Sequence, residues 1–219
     1  LRLFTPFICQ LWFTCWGNRF LPPESPIQGI HFISPLWDSN GMDTLALPLS
    51  NRLLVLVAPQ AAETLMLELA ARLALNGSLH VFDGGNRFNV YPLARNIRRY
   101  TSELTGALAR IRLARAFTCY QMAALLSEAA ADDLPTLVLD FLATFYDENV
   151  SLAESRRLLD GCLPHLQRLC RNAPLVVSVT PPNSACADRA VLVEQLTRQA
   201  SQSWTLEPLP APVPPMLWD

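Results

Sequence analysis

Seven arginines, Arg87, Arg95, Arg98, Arg99, Arg110, Arg112 and Arg115, fall within about 30 residues in which Glu103 is the only acid. Guanidinium forks match phosphate and carboxylate groups bidentately. The run is therefore a candidate surface for nucleic acid or an acidic partner, set against the plainer reading of a solvated helix face. Arg95, Arg98 and Arg99 can share one helical face at spacings of three and four. Phe88, Tyr91 and Tyr100 are the aromatic residues available to stack on bases, and all three would serve equally well in a core.

Asp140 closes a short apolar run and Thr64 opens a helical one. A carboxylate and a hydroxyl so placed are the side chains that hold a hydrated Mg²⁺ beside a phosphate. All 17 basic residues are arginine, because the sequence holds no lysine. That absence removes Schiff-base chemistry and the ammonium of a phosphate-binding loop. Nineteen acidic residues bring the formal net charge to -2, which argues against a globally basic nucleic-acid binder. No nucleophile and base can be paired. Ser178 lacks the glycine-flanked elbow of a hydrolase, and His80 and His165 stand alone on a strand and a helix. The pairs Asp132-Asp133 and Asp147-Glu148 lie in loops with no His or Cys close in sequence. The six cysteines form no CxxC pair, and Cys162, His165 and Cys170 cannot converge on one point from one helix. They read as reduced, buried thiols, and neither a catalytic residue nor a metal site is expected.

The elements that must position Thr64, Asp140 and the arginines alternate along the chain. Apolar runs of strand length occupy 52–57, 79–82, 136–140 and 175–179, and 111–116 alternates well enough for a further strand. Between them lie a helical stretch at 61–76 stopped by Gly77, a helix following Pro92, and a helix capped by Thr118 and running to 130. A long helix opens on the capping-box spacing of Ser151 and Glu154. Repeated strand–helix–strand units of this kind predict an α/β fold with a mainly parallel sheet sandwiched by helices. Its functional residues then belong at the carboxyl ends of the strands, at 58–64, 83–88, 140–144 and 180–183.

Taken in order, these strand ends resemble the core of the RecA-type recombinases and their paralogues, over about residues 50–182. The resemblance runs through 53–57 with Thr64, then Val81-Phe82-Asp83 with Phe88, then 112–116 with Tyr120 and Gln121. It continues through Leu137-Val138-Leu139-Asp140, where the family has its Walker B strand, and ends with 176–180. It implies a RecA-like P-loop NTPase core whose phosphate loop is degenerate. Aligned on Thr64, the family's Gly-Lys pair becomes Ala62-Glu63 and its first glycine becomes Val57. Glu63 would set a negative charge where the outer phosphate belongs, a repulsion of about 4 kcal/mol at 4 Å and an effective dielectric near 20. Gly85 stands where the family has its catalytic glutamate, and Pro181-Pro182 where it carries a polar sensor. Thr64 and Asp140, the family's usual partners of the magnesium ion, are what remains of the nucleotide site. The plainer role for Asp140 is structural, accepting a hydrogen bond from Thr64 or from loop N–H groups.

The resemblance therefore implies a non-catalytic accessory or regulator of DNA recombination and repair, acting in the cytoplasm or on the nucleoid or nucleus. It would bind a protein, such as a recombinase or another RecA-like subunit, and DNA where the arginines serve. No cofactor is expected. The alternative is an ATPase of the same family that draws its phosphate contacts from arginines, and ATP with Mg²⁺ belongs to that reading alone.

The two ends differ from the body. Residues 1–41 show no sustained period and no methionine, and a regular pattern starts after Met42. They are expected to be an irregular extension, upstream read-through being favoured over a native segment. The largely apolar stretch 3–16 covers 14 residues, short of the roughly 20 a bilayer helix needs, so no membrane segment is expected. The RecA-like domain is expected over 42–205. Residues 206–219 form a proline-rich tail ending in Met216-Leu217-Trp218-Asp219, either a docking peptide or a segment packed on its own domain.

Overall fold

The five consecutive residues of Leu53–Val57 are all buried, which a strand achieves when both faces of its sheet are covered. The structure, a computed structural model, describes residues 30–33 and 52–207. In chain order it contains β1 (Ile30–Ile33), β2 (Leu53–Val57), α1 (Glu63–Asn76), β3 (Leu79–Asp83), α2 (Val90–Arg98), α3 (Leu104–Ala109) and β4 (Ile111–Arg115). There follow α4 (Cys119–Glu128), β5 (Thr136–Leu139), α5 (Leu152–Leu169), β6 (Leu175–Val179), α6 (Ala190–Gln199) and β7 (Gln202–Leu206). The strands form one seven-stranded sheet in the order β1-β7-β2-β6-β5-β3-β4. Every neighbouring pair is parallel.

Strand periodicity sorts the core into two layers. Leu53, Val55, Val57, Val138, Val177 and Val179 point to the face covered by α4, α5 and α6. Leu54, Leu56, Val81, Leu137, Leu139 and Val176 point to the face covered by α1, α2 and α3. This is the expected α/β architecture, a parallel sheet between two helical layers. Its helix starts are set locally. The Thr118 hydroxyl accepts the Gln121 N–H at 3.2 Å and the Ser151 hydroxyl accepts that of Glu154 at 3.2 Å. Asn89 caps α2 by accepting the Tyr91 N–H at 3.0 Å, so that helix starts before Pro92 rather than after it.

Other differences from the sequence expectation have physical causes. The helix expected from 61 begins at Glu63, because Gln60, Ala61 and Ala62 hold φ of 51°, 52° and 50°, in the left-handed region. β7, whose residues Gln-Ser-Trp-Thr-Leu carry little apolar signal, is a strand because β2 and β1 pair with it on either side, and it runs to Leu206, past the expected domain limit at 205. Ile30–Ile33, expected to be irregular, is the edge strand beside β7. Backbone pairing needs no side-chain period. The remaining residues of 1–41 and the tail from 208 lie outside the described residues. No helix among the described residues is long and apolar enough to cross a membrane.

The four described cysteines are free, with Cys119 and Cys162 buried between α4 and α5. Burial, with the neighbouring Cys119, pushes the Cys162 thiol up to about 12. A thiol whose folded-state pKa is raised costs nothing while both states are protonated. As pH rises past the ordinary value near 9, only the unfolded chain ionises, so stability declines towards pH 12. Iodoacetamide labelling read by mass spectrometry should leave Cys162 unmodified in the native protein at pH 8 and label it fully in denaturant. Thermal melts should fall in midpoint above pH 9.

Candidate functional site

All strands run the same way, so the loops after β2, β3, β5 and β6 gather at one edge of the sheet. Two buried carboxylates organise that edge. Asp83, which is 0% exposed at the end of β3, accepts the Arg87 and Phe88 N–H groups at 2.8 and 3.0 Å and Arg115 Nε at 3.1 Å. Arg115 Nη2 also donates to the Phe88 carbonyl at 2.7 Å. Asp140, 1% exposed after β5, takes Arg87 Nε at 3.0 Å on Oδ2. Thr180, just past β6, donates its N–H to Oδ1 at 2.9 Å and its hydroxyl to Oδ2 at 3.0 Å. The Asp140 backbone sits at φ 48° in the left-handed region, which Asp tolerates, and its N–H donates to the Ser178 hydroxyl at 3.1 Å. Tyr146 hydrogen-bonds the Thr180 carbonyl at 3.0 Å, and burial together with the Asp140 charge pushes its pKa up.

Arg87 therefore joins the two carboxylates, its backbone on Asp83 and its side chain on Asp140. The loop 84–89 is folded around that link. Gly85, where the resemblance calls for a catalytic glutamate, has no room for a side chain. A Cβ there would lie 2.5 Å from both Cβ and Oδ2 of Asp140.

Thr64 does not join this network. β6 lies between β2 and β5, so Asp140 is two strand spacings, roughly 9.6 Å, from the line of β2. Of the two structural partners expected for Asp140, Thr64 or loop N–H groups, the structure has the second: the Thr180 N–H, with the Thr180 hydroxyl and Arg87 beside it. Thr64 instead lies exposed in the first turn of α1, on a cleft of about 490 Å³ shared with Glu63, Leu67, Pro92, Arg95 and Arg99. The turn before α1 keeps an unusual path without glycine. A left-handed residue with a Cβ costs about 1–2 kcal/mol, and three occur in succession at Gln60, Ala61 and Ala62. The N–H groups of Ala58 and Ala61 are used internally, on the Val179 and Ala58 carbonyls at 3.0 Å each. The Glu63 N–H is turned back onto the Gln60 carbonyl. Backbone donors that a phosphate loop would aim at its ligand are spent inside the protein.

The arginine cluster divides. Arg87 and Arg115 hold the two carboxylates, and Arg110 caps the end of α1 through the Ala74 and Leu75 carbonyls at 2.9 and 3.1 Å. Arg95, Arg98 and Arg99 are exposed and make no ion pair among the described residues, whereas the exposed Arg112 lies close enough to Asp132 to help hold its carboxyl pKa down. Arg95 and Arg99 line the cleft on α1, whereas Arg98 does not.

Two features were not read from the sequence. His80 meets Asp132 at 3.1 Å across 52 residues of chain. Burial works to raise the Asp132 pKa, but the hydrogen bonds from His80 and the Leu134 N–H hold it below the ordinary value. The pair joins the start of β3 to the loop before β5, far from the edge that carries Asp140. The second feature is the outer edge of β4. Leu113, Phe117 and Tyr120 are 41%, 72% and 52% exposed there, with Val90 and Tyr91 nearby on α2. Val90, Leu113, Phe88, Asn86, Asn89 and Arg115 line a shallow depression of about 750 Å³. Along β4 the positions 112, 113 and 115 are exposed, so its side-chain alternation does not mark a buried face.

No group of three metal-ligating side chains occurs among the described residues. No protein-family model matches the chain, and no characterised protein matches it significantly in sequence.

Gly85→Glu, which would supply the missing glutamate, should yield no ATP turnover and a destabilised protein, because overpacking against Asp140 costs about 1–3 kcal/mol. Asp140→Ala should cost about 3 kcal/mol, since Arg87 and Thr180 lose a buried acceptor. Urea unfolding followed by circular dichroism measures both.

Proposed function

We propose that the protein is a non-catalytic RecA-like accessory factor in DNA recombination or repair that works by binding a partner protein, a recombinase or another RecA-like subunit. The observation that carries this reading is the β4 edge. There a strand unpaired on one side among the described residues exposes Leu113, with Phe117 just past its end and Tyr120 in the first turn of α4 exposed as well. Exposed strand edges with adjoining apolar side chains are templates for pairing with another chain. The nucleotide side supports the same reading. Asp140 is already saturated by Arg87 and Thr180, Gly85 admits no glutamate, and the turn before α1 consumes its own N–H groups. The assignment to recombination and repair comes from the resemblance of the ordered strand ends.

A purified recombinase from the same host should bind the protein, and Leu113→Arg or Phe117→Glu should weaken that binding at least tenfold in calorimetry with the melting temperature unchanged. Mg-ATP should produce neither a thermal shift nor turnover. ATP hydrolysis abolished by Asp140→Asn would instead establish the ATPase reading.

The exposed arginines Arg95, Arg98 and Arg99 favour DNA as a second ligand. If they bind it, Arg98→Ala should weaken binding by about threefold or more. The affinity should also fall steeply between 50 and 200 mM salt, as counterion release dictates. Binding to duplex or single-stranded oligonucleotides by fluorescence anisotropy tests this.

A further inference from the structure

Every second residue of β4 turns its backbone away from the sheet. The Leu79 N–H donates to the Arg110 carbonyl at 3.1 Å and the Ala116 N–H to the Asp83 carbonyl at 3.0 Å, in a register that sets Leu79 against Ile111 and Asp83 against Arg115. Positions 110, 112, 114 and 116 therefore bond to β3, and Ile111, Leu113 and Arg115 point their N–H and C=O groups the other way. No described residue bonds those groups. Natural sheets blunt such an edge with a proline, a bulge or an outward charge. β4 has no proline, and its ladder on β3 is unbroken. The Arg115 guanidinium is drawn back onto Asp83 and the Phe88 carbonyl.

This edge is complementary to itself. Two copies of one edge related by a two-fold axis pair antiparallel. An axis at Leu113 sets 113 opposite 113, 111 opposite 115, and 112 opposite 114. The outward-facing residues are then the hydrogen-bonded pairs, and each of their N–H groups meets a carbonyl of the other copy. Arg115 stands against Ile111 and Arg112 against Ala114, so no arginine faces another. Neighbouring registers lose this match. An axis at 112 puts Arg112 against Arg112, and like charges directly opposite are destabilising. An axis at 114 sets Ile111 against Phe117, whose N–H is already held by the Gln121 side chain at 2.8 Å. The favoured register also lays Leu113 of the second copy beside Leu113, which is 41% exposed and shares a depression with Val90.

We propose that the β4 edge pairs with the β4 edge of a second copy of this chain, antiparallel about a two-fold axis at Leu113, so that the two sheets become one. The inference rests on the reading of β4 as a binding edge and names its RecA-like partner subunit as this chain itself. A recombinase competes with the second copy for the same strand.

Sedimentation of the full chain over a concentration series should show a monomer–dimer equilibrium. Leu113→Pro removes an outward N–H that the isolated fold does not use, a change edge strands tolerate. It should weaken dimerisation at least tenfold with an unchanged circular dichroism spectrum, and if it fails to fold, Leu113→Arg takes its place. Cysteine linkage reads the register. Opposed Cα atoms of a hydrogen-bonded antiparallel pair lie about 5.5 Å apart, within the roughly 4.4–6.8 Å that a disulfide spans. Oxidised Leu113→Cys should therefore yield a dimer linked through position 113, identified by mass spectrometry of the joined peptide. Ile111→Cys, about 14 Å from its counterpart, should not link through position 111. Several results overturn the proposal: a monomer at every concentration, a dimer indifferent to substitution at Leu113, or linkage through 111 instead of 113. Oligomers beyond the dimer, as head-to-tail pairing of β4 with the β1 edge would give, overturn it too. A monomer that still binds a recombinase, with that binding lost in Leu113→Arg, removes the dimer and leaves the accessory-factor reading standing. A dimer linked through 113 that binds no recombinase does the reverse.

Discussion

The ion pair between Arg87 and the buried Asp140 carboxylate decides what the carboxyl edge of the sheet can be. A charge at 1% exposure is tolerated when its oxygens are hydrogen-bonded and a cation stands beside it, and here Arg87 and Thr180 do both. The consequences propagate. Arg87 can reach Asp140 because its own backbone is held by Asp83, and Asp83 is in turn neutralised by Arg115. The loop between them passes so close to Asp140 that position 85 must be glycine. Groups that could have served a metal and a triphosphate are thereby used to lock four strand ends together.

The same arrangement separates the candidate binding surfaces. With the edge above β5 and β6 closed by its own side chains, what remains open lies to the sides. One is the β4 edge, where apolar groups stand exposed beside a strand with a free hydrogen-bonding side among the described residues. The other is the α1–α2 cleft, where Arg95 and Arg99 keep their full donor capacity. Both surfaces offer contact and charge to a partner.

Arg189 shows how a single buried cation supports this frame from the other face. It is 6% exposed and donates to the Phe145 carbonyl, to the Ser155 hydroxyl at 3.0 Å and to the Val150 carbonyl at 2.6 Å. Arg189, at the start of α6, thus ties the main-chain carbonyls of the segment that follows Asp140 to α6, and the Ser155 hydroxyl ties it to α5 by donating to the Phe145 carbonyl at 3.2 Å.

The sequence by itself determined the α/β alternation, the four buried apolar strands β2, β3, β5 and β6, the alternating strand β4 and the caps at Thr118 and Ser151, because burial and local hydrogen bonding leave direct traces in residue type and spacing. It also determined that no lysine could meet a phosphate. Only the tertiary structure decided which arginines are free and which are spent, since Arg87, Arg110 and Arg115 find their partners across 53, 36 and 32 residues of chain. It decided as well that Thr180 and not Thr64 faces Asp140, because strand order is set by packing and β6 inserts between β2 and β5. β1 and β7 were illegible for a related reason: their pairing is carried by backbone groups that every residue possesses, and such groups write nothing into the side-chain pattern.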